Sequence, residues 1–433
     1  MEERKIIIRE LLAKHPADVA EVLSGLDEGQ AIELVHRLVL RKAAAGPLGE
    51  MEPEDSAELF EGLDREEALG ILSRMDPDDA VDLLEELPPK TQQELLSRLE
   101  SDEAKVLAGL LVYPPDTAGG LMSPEVAALP LDMTVQEAIE LLRGRVEEME
   151  TVYYAYAVDA NRHLQGVISL RDLVLARPQT RIYELLQKEI VTIPAELDVE
   201  EVARLFDRYN YLALPVVDAG GRLLGVITVD DVIDVIRDEA TEDIYGMVSA
   251  PTEERVDTKL VSSLRMRLPW LYVRLMTALL AAVVVGMFEE TIAKVAALAV
   301  FMGVIAGQGG SAGMQTVAII TRGMALGEFE RKDGLRLLRK EALLGFINGL
   351  IIGITVGLIT WMWKGDCILG VVVFVAMMLN LVVAGAAGVA VPLVMQALGK
   401  DPALASGILL PTLTDVLGFG LLFLLAISLI PGL

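Results

Sequence analysis

The chain has 433 residues, 53% of them hydrophobic and 23% charged, with a net charge of −27. Its mean hydropathy of +0.45 excludes an ordinary soluble domain, and so much charge excludes a protein made of membrane spans alone. The 12 basic and 9 acidic residues after Leu264 leave a net −30 on residues 1–264, a field that repels nucleic acid and anionic lipid and leaves cation binding or plain solvation as its role.

The N-terminal run MEERKIIIRELLAKHP is charged throughout and has no signal-peptide core, so the soluble part is expected in the cytosol. Cys367 is the sole cysteine, which rules out an intrachain disulfide. Residues 1–117 read as short helices opened by proline, as at Met51-Glu52-Pro53-Glu54, Leu87-Pro88-Pro89 and Met75-Asp76-Pro77-Asp78-Asp79. In the last of these Asp76 is placed to cap, Pro77 suits the first helical position, and the two acids face the positive end of the helix dipole. The expected shape is a small all-α helical solenoid.

Residues 118–238 carry one mixed unit twice, divided at 118–180 and 181–238. The first copy runs from a capping box at Thr134-Val-Gln-Glu137 through a strand at 152–158, a turn at Asp159-Ala-Asn-Arg162 and a strand at 164–169 to a helix opened by Ser169-Leu-Arg-Asp172. The second repeats it with a helix at 198–209, strands at 212–217 and 223–228 around Asp218-Ala-Gly-Gly221, and a helix start at Thr228-Val-Asp-Asp231. This tandem resembles an α/β CBS-domain pair. Residues 239–264 are expected to form a connecting helix.

Residues 265–433 hold five apolar spans, near 271–288, 295–321, 343–361, 368–390 and 403–430, each close to the roughly 20 residues a bilayer requires. Basic residues before the first span and from Arg322 to Lys340 place those ends in the cytosol, which puts Glu289, Glu290, Lys364, Asp366 and the C-terminus outside. The second span contains Gly303, Gly307, Gly309, Gly310 and Gly313, suited to close helix packing or to lining a pathway. The fifth carries Asp415, the one charged side chain between Pro402 and Leu433. It lies 14 residues beyond Asp401, about 21 Å along a helix rising 1.5 Å per residue. An acid at that depth lines an ion path, pairs internally or faces water. Pro411 before Thr412, Thr414 and Asp415 is expected to break the helix locally and expose carbonyls, giving an all-oxygen setting suited to a hard cation.

GGSAGMQ in the second span, the RGMALGE after it, DPALAS before the fifth span and TLTDVLGF within it resemble the MgtE family of magnesium transporters and channels. The resemblance covers nearly the whole chain. It implies a helical N-terminal domain, a CBS pair, a plug helix at 239–264 and a five-helix transmembrane domain at 265–433. It further implies a homodimer in the inner membrane with a pore between subunits, in which Asp415 binds the permeating Mg2+. Regulatory Mg2+ would fall to Asp78 and Asp82, to Asp198, Glu200, Asp231 and Asp234, and to Glu239, Glu242 and Asp243 at the connector. Helix capping is the competing role for several of these, Asp78 and Asp231 above all. ATP is the implied nucleotide, with Arg171, Asp172 and Tyr211 as candidates. Transport of another divalent such as cobalt, and a membrane-anchored CBS nucleotide sensor, are the rival readings. An enzyme is disfavoured, because His15, His36 and His163 form no catalytic or zinc spacing and no phosphate loop or nucleophile motif occurs.

Overall fold

A computed structural model describes residues 11–145, 149, 152–252, 254–256, 258–329 and 331–431. The first ten residues, part of the charged N-terminal run, lie outside that range. The chain divides into two compact units, one ending at Ile236 and the other beginning at Arg237.

In the first unit, helices α1 (Pro16–Ser24), α2 (Glu28–Val39), α3 (Ala45–Gly49), α4 (Pro53–Glu61), α5 (Arg65–Leu72), α6 (Pro77–Glu86), α7 (Pro89–Arg98) and α8 (Ser101–Leu110) follow in close succession. Short polar turns end each one before it can outgrow its apolar stripe. Asp27 caps α2 by accepting from the Gln30 N–H at 3.1 Å, and Asp64 with Glu67 forms a full capping box on α5. Asp76 does not cap α6 through its side chain. The fixed φ of Pro77 already sets the first turn, and the Asp76 carbonyl accepts from Ala80 at 2.9 Å. Helices two apart lie side by side, α2 on α4, α4 on α6 and α6 on α8, which is the stacked arrangement expected.

The two α/β modules repeat one another. The first contains α9 (Ala118–Leu121), β1 (Ala128–Pro130), α10 (Val135–Gly144), β2 (Tyr154–Val158), β3 (Leu164–Ser169) and α11 (Leu170–Leu175). The second contains α12 (Ile182–Leu185), β4 (Ile193–Pro194), α13 (Val199–Tyr209), β5 (Ala213–Val217), β6 (Leu223–Thr228) and the start of α14 (Val229–Val248). Each sheet has a parallel pair followed by an antiparallel hairpin, in the orders β1-β2-β3 and β4-β5-β6. The short β1 and β4 escape the sequence reading because two or three residues carry no periodicity. Both hairpin turns use the same device: Asp159 Oδ1 accepts from Asn161 and His163 N–H at 2.8 and 2.9 Å, and Asp218 Oδ1 from Gly220 and Arg222 at the same distances. The turns then bond to one another through Leu164 N–H to Gly221 O (3.0 Å) and Leu223 N–H to Arg162 O (2.9 Å). Val35, Leu84 and Leu107 of the helical layer share one core with Ile193, Phe206 and Val216 of the second module.

The second unit contains α15 (Leu260–Met287), the short α16 (Glu289–Lys294), α17 (Ala297–Ala325), α18 (Gly334–Lys364), α19 (Cys367–Ala397) and α20 (Pro402–Leu429). Five of these helices are long and apolar enough to cross a membrane. The expected single helix over 239–264 is corrected: residues 239–248 complete α14, which ends at Ser249 with φ 56°, and among the described residues no helix resumes before Leu260. Pro251 forbids continuation there and disfavours helical backbone just before it. The break expected at Pro411 is also corrected, since α20 runs through it. A proline inside a membrane helix removes one N–H without ending the helix when neighbouring helices hold it.

Glycine spacing sets the α18–α19 hairpin. Gly345, Gly349, Gly353 and Gly357, each four residues on from the last, face the backbone of Leu381, Met378, Phe374 and Gly370 on α19. A methyl group at Gly349 would lie 2.8 Å from the Met378 carbonyl, which makes this a small-x-x-x-small ladder extended over four turns. Replacing Gly349 by Leu is expected to lower stability in detergent by about 1–3 kcal/mol through overpacking, and an unchanged melting temperature would contradict that role.

Candidate functional site

Asp415 sits half-buried on α20, followed one turn later by Gly418. Arg274 of α15 is near enough to act on its carboxylate electrostatically. Thr412 and Thr414 do not face an opened carbonyl. Their hydroxyls donate back to Ile408 O (2.8 Å) and to Leu410 O and Pro411 O (3.1 and 3.0 Å) within α20 itself. Pro411 lacks an N–H, so the Gly407 carbonyl four residues earlier has no helical partner. Gly407 also meets the end of α14: a methyl group there would lie 2.7 Å from both the Gly246 and Met247 carbonyls and 2.9 Å from Ser249 Oγ.

The glycine-rich helix α17 divides its glycines between two faces. Gly309 and Gly313 are buried against Asn380 and Leu410, whereas a methyl group at Gly303, Gly307 or Gly310 would meet nothing within 4 Å among the described residues outside its own helix turn. Packing and an open face are therefore both present, roughly 100° apart around one helix, because glycines spread from 303 to 313 wrap around a 3.6-residue turn.

Two polar groups escape the sequence reading. Asn380 of α19 is fully buried and its Nδ2 donates to the Ile305 carbonyl of α17 at 3.0 Å. Its signal is a lone amide in an apolar span. Glu341 of α18 is 4% exposed, accepts from Thr316 Oγ1 at 3.3 Å and pairs with Lys340 Nζ at 3.2 Å. Its place beside the basic run hides it among ordinary loop charges.

In the first unit, α6 packs on the second α/β module and brings Asp82 close enough to Asp231 for their charges to interact. Burial and then the charges of Glu85, Asp231 and Glu86 push Asp82 up to about 7. Burial also pushes Asp231 up to about 6, against the Thr228 hydroxyl, which donates to it at 2.6 Å. Asp231 thus serves its helix start within electrostatic reach of Asp82. Asp198 is an exposed cap of α13, accepting from Glu200 N–H at 2.9 Å, and Glu200 pairs with Arg204 at 2.8 Å. Asp78 lies on the first turn of α6, Asp234 is exposed on α14, and Glu239, Glu242 and Asp243 follow on its later turns. Among the described residues, no three acids, histidines or cysteines converge as a ready metal cage. Asp172 bonds Ser169 Oγ at 2.6 Å beside the exposed Arg171 at the start of α11, and Tyr211 stacks on Tyr209 at 5.9 Å in the second module.

A helical layer, a paired α/β module and five membrane-length helices, with an isolated acid in the last, define a multidomain membrane protein with appended regulatory modules. Residues 302–425 match the divalent cation transporter family, 14–116 the MgtE intracellular N domain, and 118–178 and 182–238 the CBS domain. The magnesium transporter MgtE of Bacillus subtilis is 34% identical over 76% of this chain and 73% of its own length. Its counterpart from Thermus thermophilus is 40% identical over 71% of this chain and 68% of its own. The crystal structure of the cytosolic domain of the Mg2+ channel MgtE in complex with ATP is 36% identical, with a TM-score of 0.51 over 54% of this chain and 94% of that one. The chain belongs to the MgtE family.

Proposed function

We propose that this chain forms a homodimeric Mg2+ channel of the inner membrane, closed when its cytosolic acids bind the ion it conducts. The observation that carries the reading is Asp415, a half-buried carboxylate about 20 Å along a membrane helix. Two-fold symmetry would bring two such carboxylates together, a charged ring of the kind cation channels use. Mg2+ sheds water reluctantly and binds through one or two carboxylates while keeping several waters, so a wide pair suits it hydrated. The open face of Gly303, Gly307 and Gly310 supports a path that needs room rather than side chains. The basic ends support a cytosolic location for the soluble modules and a C-terminus outside.

The regulatory ligands proposed are Asp82 and Asp231 first, with Asp78, Asp198, Glu200, Asp234, Glu239, Glu242 and Asp243 contributing as the modules draw together. At low Mg2+ the net −30 on residues 1–264 holds them apart by self-repulsion. ATP at the CBS pair, near Arg171, Asp172 and Tyr211, is proposed as a further regulator, and the protein conducts rather than catalyses. Purified protein in liposomes tests the reading. Mg2+ influx and Mg2+-dependent protection of the cytosolic part from protease are expected, and cleavage at equal rates with and without Mg2+ would count against the gating.

A further inference from the structure

Asn380, 13 residues into α19, is fully buried at 0% exposure, as is Thr414 of α20. The Asn380 amide is held on both sides by glycine. A methyl group at Gly309 of α17 would collide with Nδ2, and one at Gly418 of α20 would lie 2.9 Å from Oδ1. Nδ2 donates to Ile305 O across to α17, while Oδ1 is buried with no partner among the described residues. Thr414, the neighbour of Asp415, places its Cβ 3.4 Å from the same point at Gly309 that Nδ2 approaches. A buried amide oxygen without a partner carries the cost of its lost hydration. Packing alone would be served as well by leucine, which carries no such cost.

The geometry points to Asn380 as a positioning residue: it fixes the separation of the glycine-rich span and the Asp415 span, and so sets which hydrated cation the path accepts. The amide reaches both helices at once. It is bonded to α17 and wedged against the face of α20 that lies one turn from Asp415. A shift of α17 strains the 3.0 Å bond, and a closer approach of α20 drives Gly418 into the amide. This inference rests on the reading of Asp415 as the ion-binding group.

The test compares wild type, Asn380→Leu, Gly418→Ala and Asp415→Asn, each full-length in liposomes, with Mg2+ and Co2+ as the ions supplied. Asn380→Leu removes the bond, and Gly418→Ala displaces the same amide without altering it. Each is expected to change the KM for Mg2+ or the Mg2+ to Co2+ flux ratio by roughly threefold or more, the factor an interhelical hydrogen bond in a membrane is worth. A fall in maximal rate at unchanged KM and ratio shows a merely structural role and overturns the inference. So does wild-type behaviour in every variant that folds. If Asn380→Leu does not fold, Gly418→Ala decides alone. Wild-type flux through Asp415→Asn would instead sink the reading of Asp415 and leave the two failures distinguishable.

Discussion

Asp415→Asn is expected to abolish Mg2+ flux while leaving the protein folded. The substitution keeps the shape and removes the one formal charge between Pro402 and Leu433, doing so twice in a dimer. A carboxylate about 4 Å from a unit charge is worth about 4 kcal/mol at an effective dielectric near 20. Losing it lowers ion occupancy by on the order of a thousandfold. Burial makes the same change easy on the fold, since a neutral amide at that depth is cheaper than a carboxylate. Asp415→Glu retains the charge and moves it by one methylene, so flux is expected to persist with altered selectivity. Isotope or fluorescent-indicator uptake reads both, and unchanged flux in Asp415→Asn would overturn the assignment.

The second large effect concerns Asp82 and Asp231. Both carboxyls lie above their ordinary value near 3.8, at about 7 and about 6. The folded state therefore holds their protons more tightly than the unfolded chain, and stability is lost as pH rises through the folded values. Between pH 6 and pH 8 the loss is about 1–2 kcal/mol without Mg2+. A divalent cation between the two carboxylates replaces the protons and offsets their repulsion, so Mg2+ is expected to stabilise strongly at pH 8 and weakly at pH 6. Asp82→Asn should remove most of both the pH slope and the Mg2+ response. Thermal melts of the full-length protein at the two pH values, with and without Mg2+, check this. A melting temperature independent of pH in the wild type would refute the pairing.

Much of the plan is legible in the chain because it depends on local rules. The proline-opened helices, the duplicated capping and hairpin devices at Thr134, Ser169, Asp159 and Asp218, and the five spans each follow from spacing that a few neighbouring residues define. A local rule misleads at Pro411, which does not break α20 because the surrounding helices hold it, whereas at Pro251 the local rule holds against the expectation of one continuous connecting helix.

Composition and hydropathy belong to the chain itself, and they suffice to put one acid deep in the last span and a strong negative charge on the soluble part. Which acids meet depends on packing between distant segments. Asp82 and Asp231 are 149 positions apart in the chain and come together because α6 packs on the second α/β module. The tertiary structure likewise decides that Gly309 packs while Gly307 stands open, and that Asn380 reaches two helices at once. Which side of a helix faces a neighbour is fixed by long-range packing, and no local pattern encodes it when every side of the helix is apolar.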